Sequence, residues 1–289
     1  MHKLVKVWQI GRLNYSKGLK LQKHLVHLHH EQPEFANNTL LCLEHPPVYT
    51  TGIRTKEYPQ DVAQQLEALG AEFHRTDRGG LITFHGPGQL VVYPILNLKD
   101  FKPSMRWYVC HIEKTVIRLC KKMGIEAETS PHTGVWICAI GVHGSRFVTS
   151  HGLALNCCTD LKWFEHIVPC GIEGKGVTSL SKELNRLVTV EEVIPLFLDS
   201  FSEIFSCNYS FLNNKSDVCE MAKNPLCCII WFIAFYFSFI IAFFCAFWYI
   251  ILYPFTVCIS ACSDYTDLLL KGIQLPQFCA NKMVHCEGC

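Results

Sequence analysis

A long stretch without any charged residue divides this chain. No Asp, Glu, Lys or Arg occurs from Asn224 to Ser263, and Leu226–Tyr253 within that stretch is almost wholly apolar. The run is longer than the roughly 20 apolar residues that a helix needs to cross a bilayer. In water such a segment would aggregate or insert into a membrane. We therefore expect one folded domain at residues 1–212 and a separate tail at residues 213–289, with a candidate transmembrane helix at 226–253.

Two interpretations of this tail stay open. As a membrane anchor, its basic flank at Lys215 and Lys223 would stay on the cytosol-like side together with the domain, opposite Asp264 and Asp267. Alternatively, the tail is translated intron or alternative-exon sequence that happens to be apolar, which its Phe-, Ile- and Cys-rich composition favours.

Composition limits the classes of protein that the chain can represent. Its 289 residues suit one large domain or two small ones, and a net charge of +1 gives no case for nucleic-acid binding. The 17 cysteines are odd in number and no secretory signal opens the chain, so reduced, intracellular thiols are expected. The basic N-terminus, without an acidic residue before Glu31, is typical of a mitochondrial transit peptide. The same residues also fit a strand at Leu4–Ile10 and a helix at Tyr15–His30.

The domain reads as an α+β fold, a mixed sheet with helices packed on it. Clustered or alternating apolar and β-branched residues predict four strands at Leu4–Ile10, Thr39–Leu43, Glu72–Arg75 and Leu90–Leu96. Helix boundary signals predict three further helices at Pro59–Leu69, Ser104–Met123 and from the capping box at Thr189 towards Ser206.

Three short strings concentrate glycine, histidine and cysteine. They are RGGLITFHGPGQLVVYP at Arg78–Pro94, HGLALN at His151–Asn156 and PCGIEGKGVTSL at Pro169–Leu180. Glycine lets a backbone approach a ligand closely, and a cysteine beside such a loop suggests acyl transfer through a thioester.

These strings, in this order, resemble the lipoyl(octanoyl) transferases, in particular those of animal mitochondria, over about Val5 to Cys207. The resemblance implies a biotin/lipoate protein ligase-like fold. It also implies that a cysteine takes an octanoyl group from octanoyl acyl-carrier protein and passes it to a lysine of a lipoyl domain, the first step of protein lipoylation. The incoming thioester is already activated, so no cofactor or metal is expected.

The resemblance also assigns roles to residues. Cys170, in the string PCG, would be the nucleophile. The substrate pocket would be lined by Arg78, Gly79, Gly80, Leu81, Ile82, Thr83, Phe84, His85, Ala139, Ile140, Gly141, Gly152, Leu153 and Ala154. Ile140, Leu153 and Phe84 could wall the acyl chain, and backbone N–H groups near Cys170 and Gly152 could stabilise an oxyanion. Taken singly, the glycines could be turn residues, and Thr83 could be an ordinary strand residue.

The chain departs from the family pattern at one point. The family carries a lysine in a hairpin before the strand that corresponds to ICAIG, where it lowers the thiol pKa. Here Trp136 is followed directly by Ile137, and the hairpin with its lysine is missing. Lys175, His85 and His151 are candidate replacements, because a nearby cation or an imidazole can activate a thiol.

The implied partners are octanoyl acyl-carrier protein and acidic lipoyl-domain proteins, namely the glycine cleavage H protein and 2-oxoacid dehydrogenase E2 subunits. The implied location is the mitochondrial matrix, with membrane association through the tail. Two alternatives remain: a catalytically impaired isoform, and a lipoate ligase or amidotransferase relative. The CxxC spacing at His285–Cys289 lacks a second ligand pair for zinc.

Overall fold

The larger of two compact units carries both β-sheets and most of the helices. The structure, a computed structural model, describes residues 3–54, 58, 60–128, 137–168, 176–212, 225–253 and 269–277, without side chains at 225–232 and 252. The units comprise Met1–Leu212 and Asn213–Cys289.

Nine strands build two sheets in the first unit. They are β1 Lys3–Arg12, β2 Thr39–Glu44, β3 Val48–Thr51, β4 Glu72–Arg75, β5 Thr83–His85, β6 Gln89–Ile95, β7 Cys138–Ser145, β8 Val148–Asn156 and β9 Cys207–Phe211. The large sheet has the order β7-β8-β6-β2-β1-β9, and the small sheet has the order β4-β3-β5. Both contain parallel and antiparallel pairs. The predicted mixed sheet is therefore confirmed.

The central strands are apolar along their whole length. Every residue of β6 is buried, as is every residue of β2 except Glu44. Strands covered on both faces show such continuous apolar runs, and this is why the pattern at Thr39–Leu43 and Leu90–Leu96 predicted them. Residue patterns did not predict the strands β3, β5, β7, β8 and β9. For β5, three residues are too few for a periodic signal.

Helices cover the large sheet. The first unit contains α1 Tyr15–Glu31, α2 Gln60–Ala68, α3 Met105–Lys122, α4 Leu180–Leu184 and α5 Val190–Phe205. Helices α3 and α5 share one apolar core with the sheet, while α1 packs against β6 and β8 outside that core. Two of the predicted helix starts are confirmed by their caps. Ser104 Oγ accepts from the Trp107 amide at 3.3 Å, and Thr189 Oγ1 accepts from the Glu192 amide at 3.3 Å.

A tight turn closes the hairpin of β7 and β8. Ser145 pairs with Val148, so the turn consists of Arg146 and Phe147 alone, with φ of 47° and 69°. Two-residue hairpin turns of type I′ need positive φ at both positions, which normally favours Asn and Gly. Here two large residues, Arg146 and Phe147, adopt positive φ.

The second unit contains one long apolar helix, α6 Pro225–Leu252. Its segment Ile233–Ile251 has a mean hydropathy of 2.1, and only 6% of that window is buried inside the structure. By length and composition this helix could cross a membrane. Cys245 packs against Gly272 within the same unit, where a Cβ would meet the Cys245 Sγ at 2.4 Å.

Candidate functional site

A cavity opens where the large sheet meets the small one. Its space is about 410 Å³, part of it open to solvent. It is lined by Tyr15, Arg78, Gly80, Thr83, His85, Tyr93, Ala139, Ile140, Gly141, His151, Gly152, Leu153 and Ala154. The structure thus brings together ten of the residues that the sequence assigned to a pocket, from three separate parts of the chain.

Strand pairing explains why two of the predicted triplets meet. Ala139, Ile140 and Gly141 pair in register with Ala154, Leu153 and Gly152 across β7 and β8. Gly152 also lies against β6, because a Cβ at this position would lie 2.1 Å from the Val92 carbonyl oxygen. One wall of the cavity is therefore the hairpin of β7 and β8. This hairpin can lie so close to β6 only because residue 152 is glycine.

Arg78 holds the glycine-rich loop in place. Its Nη2 donates to the Thr50 carbonyl oxygen at 2.6 Å, to Thr50 Oγ1 at 2.9 Å and to the Leu81 carbonyl oxygen at 2.9 Å. Its Nη1 donates to the Gly79 carbonyl oxygen at 2.9 Å. Hydrogen bonds from a charged donor are stronger than neutral ones, so this buried guanidinium fixes the loop while adding positive charge to the cavity wall.

A buried hydrogen-bond chain connects the three sequence strings. Thr50 Oγ1 lies 3.2 Å from His85 Nε2, and Gln89 Oε1 accepts from His85 Nδ1 at 2.8 Å. Gln89 Nε2 donates to Asn156 Oδ1 at 2.9 Å, and Asn156 Nδ2 donates to the Thr178 carbonyl oxygen at 3.1 Å. His85 and Gln89 belong to the first string, Asn156 to the second and Thr178 to the third, so one network joins described residues from all three.

His85 is uncharged in this network. Burial, with help from the neighbouring His45 and Arg78, lowers the pKa of its imidazole to about 3. Both ring nitrogens are already hydrogen-bonded. His85 therefore works as a structural link.

His151 is placed differently, at the start of the second string. Its Nε2 lies 2.8 Å from Asp77 Oδ1, and its amide donates to Gln22 Oε1 at 2.7 Å. Burial lowers the pKa of His151 below its usual 6.5, although Asp77 opposes that shift. Burial alone would raise the pKa of Asp77, but the bond to His151 outweighs it and the net shift is downward. The pair is thus a carboxylate and a neutral imidazole.

Several functional-site residues escaped the sequence analysis. Tyr15 and Tyr93 line the cavity, and Tyr93 Oη donates to His45 Nε2 at 2.8 Å. Desolvation raises the pKa of Tyr15 to about 12 and raises the pKa of Tyr93 well above its ordinary value, so both phenols are neutral. Tyr93 is the last residue but one of the first string and could have been found by its place in that string. Tyr15 and Asp77 carry no such signal.

Four predicted pocket residues lie elsewhere. Gly79 donates its amide to the Val142 carbonyl oxygen at 3.0 Å, and Leu81 is partly exposed. Ile82 and Phe84 belong to a second apolar cluster beneath the small sheet. The Phe84 ring stacks on Trp163 with centroids 5.0 Å apart, so it packs the segment that precedes the third string.

Thr83 carries an unpartnered polar atom. The residue is 4% exposed and lines the cavity, and its Oγ1 has no hydrogen-bond partner in the part of the chain that the structure describes. A buried hydroxyl without a partner costs roughly 1–3 kcal/mol. The Thr83 hydroxyl is therefore available to hydrogen-bond a bound molecule.

Other predicted residues lie outside the described residues. These are Cys170, Lys175, the Thr133–Trp136 stretch where the lysine hairpin is missing, Lys215, Lys223, Asp264, Asp267 and the CxxC spacing at His285–Cys289. Among the described residues no cluster of three or more His, Cys, Asp or Glu could hold a metal ion.

Comparison with known proteins gives a consistent result. Residues 14–202 match the lipoyl protein ligase A/B catalytic domain. The mitochondrial octanoyl-[acyl-carrier-protein]:protein N-octanoyltransferase of Danio rerio is 58% identical over 217 residues, covering 73% of this chain and 97% of the relative. The Homo sapiens protein of the same name is 49% identical over 218 residues, covering 70% of this chain and 94% of the relative.

A solved structure supports the fold. The crystal structure of lipoate-protein ligase A bound with ATP matches with a TM-score of 0.55 and 13% identity, covering 75% of this chain and 92% of that chain. At this identity the likeness concerns the fold alone.

Proposed function

The chain belongs to the lipoyl protein ligase A/B catalytic domain family and is an acyltransferase, and from this premise we propose that it transfers octanoyl groups for protein lipoylation through a thioester on Cys170. The donor is octanoyl acyl-carrier protein, and the acceptor is a lysine side chain of a lipoyl domain. The glycine cleavage H protein and 2-oxoacid dehydrogenase E2 subunits are the acceptors that fit this chemistry.

The cavity is the observation that carries the proposal. It combines apolar side chains, Ile140 and Leu153, with buried polar groups from Arg78 and Thr83. An acyl thioester needs both, because its chain is apolar while its carbonyl gains negative charge during attack. We assign the pocket to the predicted residues Arg78–His85, Ala139–Gly141 and Gly152–Ala154, with Gly79, Leu81, Ile82 and Phe84 supporting it from behind.

The reaction has two balanced halves. In the first, Cys170 Sγ bonds to the octanoyl carbonyl carbon, the carbon–sulfur bond to the carrier breaks, and the thiol proton passes to the departing carrier sulfur. In the second, the lysine nitrogen bonds to the same carbon, the carbon–sulfur bond to Cys170 breaks to give an amide, and the amine proton passes to the released Cys170 sulfur. Arg78 and Thr83 would hold the carbonyl, and Ile140 and Leu153 would exclude water from the acyl chain.

Five of the described thiols are poor rivals to Cys170. Burial raises the pKa of Cys42 to about 12 and of Cys120 and Cys207 to about 11, and it raises the pKa of Cys157 and Cys158 as well. The thiolate is the reactive form, so these thiols would stay protonated and inert at neutral pH.

We place the protein in mitochondria, because the Danio rerio and Homo sapiens relatives are named mitochondrial, and we propose the matrix as its compartment there. We also propose that the apolar helix α6 attaches the tail to a membrane.

An impaired form of the same enzyme is the second candidate. It is favoured by one observation: Trp136 and Ile137 adjoin where the family carries its hairpin lysine. Activation of Cys170 must then come from another group, or the chain binds octanoyl thioesters without turnover.

An intact-mass experiment separates these outcomes. The full chain in detergent is incubated with octanoyl acyl-carrier protein, beside Cys170→Ala and the matched control Cys158→Ala. An octanoyl adduct on the wild type and on Cys158→Ala, but absent from Cys170→Ala, supports the proposal. An adduct that persists on Cys170→Ala contradicts it, and no adduct on a folded wild type supports the impaired form. Lipoate with ATP serves as a further arm, since modification there would indicate a ligase.

A further inference from the structure

One exposed face of α1 carries basic side chains along most of its length. The members of this surface, which we call the basic stripe, are Lys17, Lys20, Lys23, His24 and His27. At 3.6 residues per turn they lie within about a third of the helix circumference and along about 15 Å of the axis. No acidic residue precedes Glu31 in the chain. Among the described residues none of the three lysines pairs with a carboxylate.

The stability of α1 does not account for this pattern. The N-terminal end of a helix favours negative charge, yet the first turn of α1 has no acidic residue and Lys17 is its third residue. Lys17 and Lys20 are like-charged neighbours three residues apart, as are Lys20 and Lys23, and such pairs destabilise a helix. Local choices that oppose the fold are expected at functional sites, so the basic stripe indicates a binding role.

The basic stripe begins at the cavity and leads away from it. Tyr15, two residues before Lys17, lines the cavity. At the other end of α1, His30 Nε2 lies 3.1 Å from the Ser145 carbonyl oxygen, beside the turn of the β7–β8 hairpin. A partner that rests on the stripe can therefore reach the cavity with one extended group while its body lies up to about 15 Å away.

Neighbouring charges leave this surface positive. Glu31, the one carboxylate of α1, lies 3.7 Å from Arg146 in the hairpin turn. At the cavity end, Asp77 and Arg78 act on Tyr15 with opposite sign. These charges balance one another, so the lysines of the basic stripe determine the sign of the surface. A surface of one sign attracts a partner of the opposite sign.

From this arrangement we propose that the basic stripe docks the acidic face of the carrier protein that delivers the octanoyl thioester. The inference rests on the proposed function, which supplies this donor. An acyl-carrier protein presents its thioester on a long flexible arm, so its folded body docks at a distance from the cavity. An acceptor lysine side chain is short, so a lipoyl domain has to lie at the cavity mouth itself. A charged surface that leads away from the mouth fits the carrier.

The test measures binding of octanoyl acyl-carrier protein to the full chain in detergent by calorimetric titration. It is run at about 0.1 M and about 1 M salt, where the Debye length is about 10 Å and about 3 Å. The variant Lys17→Glu/Lys20→Glu reverses the stripe beside the cavity, and its carboxylates suit the N-terminal turns of a helix, so its melting temperature should not fall. The matched control Lys114→Glu/Lys121→Glu makes the same change in net charge at exposed positions of α3.

We expect Lys17→Glu/Lys20→Glu to weaken carrier binding at least about tenfold at the lower salt concentration. The difference should vanish at the higher concentration, because salt screens exposed charges. The α3 pair should bind within about twofold of the wild type. Transfer from octanoyl-pantetheine, a thioester without a carrier body, should be unchanged in both variants, which separates docking from chemistry.

Two results overturn the docking role. One is carrier binding that stays at the wild-type level in Lys17→Glu/Lys20→Glu or falls equally in the α3 pair. The other is a loss of binding to an isolated lipoyl domain, or to anionic phospholipid vesicles, while carrier binding persists.

Docking and chemistry can fail separately. If the wild type forms no adduct on Cys170 but its carrier affinity depends on Lys17 and Lys20, the proposed function fails and the docking surface stands. If the adduct forms and the carrier affinity ignores both lysines, the proposed function stands and the docking surface is refuted.

Discussion

Replacing Gly152 by alanine should distort the cavity wall from within. The added Cβ would lie 2.1 Å from the Val92 carbonyl oxygen and 2.6 Å from Pro94 Cδ. Real Cβ atoms essentially never come closer than 3.0 Å, so β8 must move away from β6 by about 1 Å. The obstacle is backbone in a central strand, which cannot swing aside as the end of a side chain can.

The expected cost is large and measurable. Overpacking of a core costs about 1–3 kcal/mol, and we expect the upper end because β6 and β8 pair in the middle of the sheet. At roughly 2–4 °C per kcal/mol for a domain of this size, the melting temperature should fall by about 6–12 °C. A displacement of about 1 Å in a positioned group can also cost about 10²-fold in rate, so octanoyl transfer should slow as well.

Gly144, in the same hairpin, supplies the control. There an added Cβ meets Met105 Sδ at 2.7 Å, at the far end of a flexible side chain, so Gly144→Ala should lower the melting temperature by no more than about 2 °C. Differential scanning calorimetry of both variants tests the reasoning. Equal shifts, or a Gly152→Ala protein that melts with the wild type, would refute it.

Three further predictions concern the surrounding network and the hairpin. Gln89→Leu should lower the free energy of thermal unfolding by about 1–3 kcal/mol, because it leaves the buried His85 N–H without an acceptor. A smaller loss would mean that a water molecule accepts from His85 in place of Gln89. Phe147→Gly should raise the melting temperature, since φ is 69° there and left-handed backbone costs non-glycine residues about 1–2 kcal/mol; an unchanged or lower value argues against strain. His45 and His85 have pKa values lowered by burial to about 4 and 3. The unfolded chain therefore binds more protons than the folded chain below pH 6.5, and stability should fall as pH drops from there towards 4 and 3; urea midpoints that stay constant across this range would contradict it.

Long elements could be predicted from the sequence because their patterns repeat. The amphipathic spacing at Ser104–Met123 extends over several turns and has a capping serine, and the structure places α3 at Met105–Lys122. The fully buried strand β6 was equally clear from its apolar run. The short strands β3 and β5 depend on partners far away in the chain, so no local sequence pattern predicts them.

The site shows the same division between local and distant information. The glycine-rich strings predicted most of the cavity wall, because glycine marks close backbone approach. Phe84 was expected to wall the acyl chain, but β5 alternates and turns its ring towards Trp163. The partnership of Asp77 with His151 joins residues 74 positions apart. Only the assembled fold reveals such a pair.

The two-residue turn at Arg146 and Phe147 has a consequence for how this enzyme tolerates length variation. Alignment of Ala139–Gly141 with Gly152–Ala154 is set from the closed end of the hairpin. Residues can therefore be lost before Ile137, at the open end, without shifting one triplet against the other. The cavity wall and the stretch before Ile137 are thus separable modules, and evolution or splicing can edit the second while the first is inherited intact.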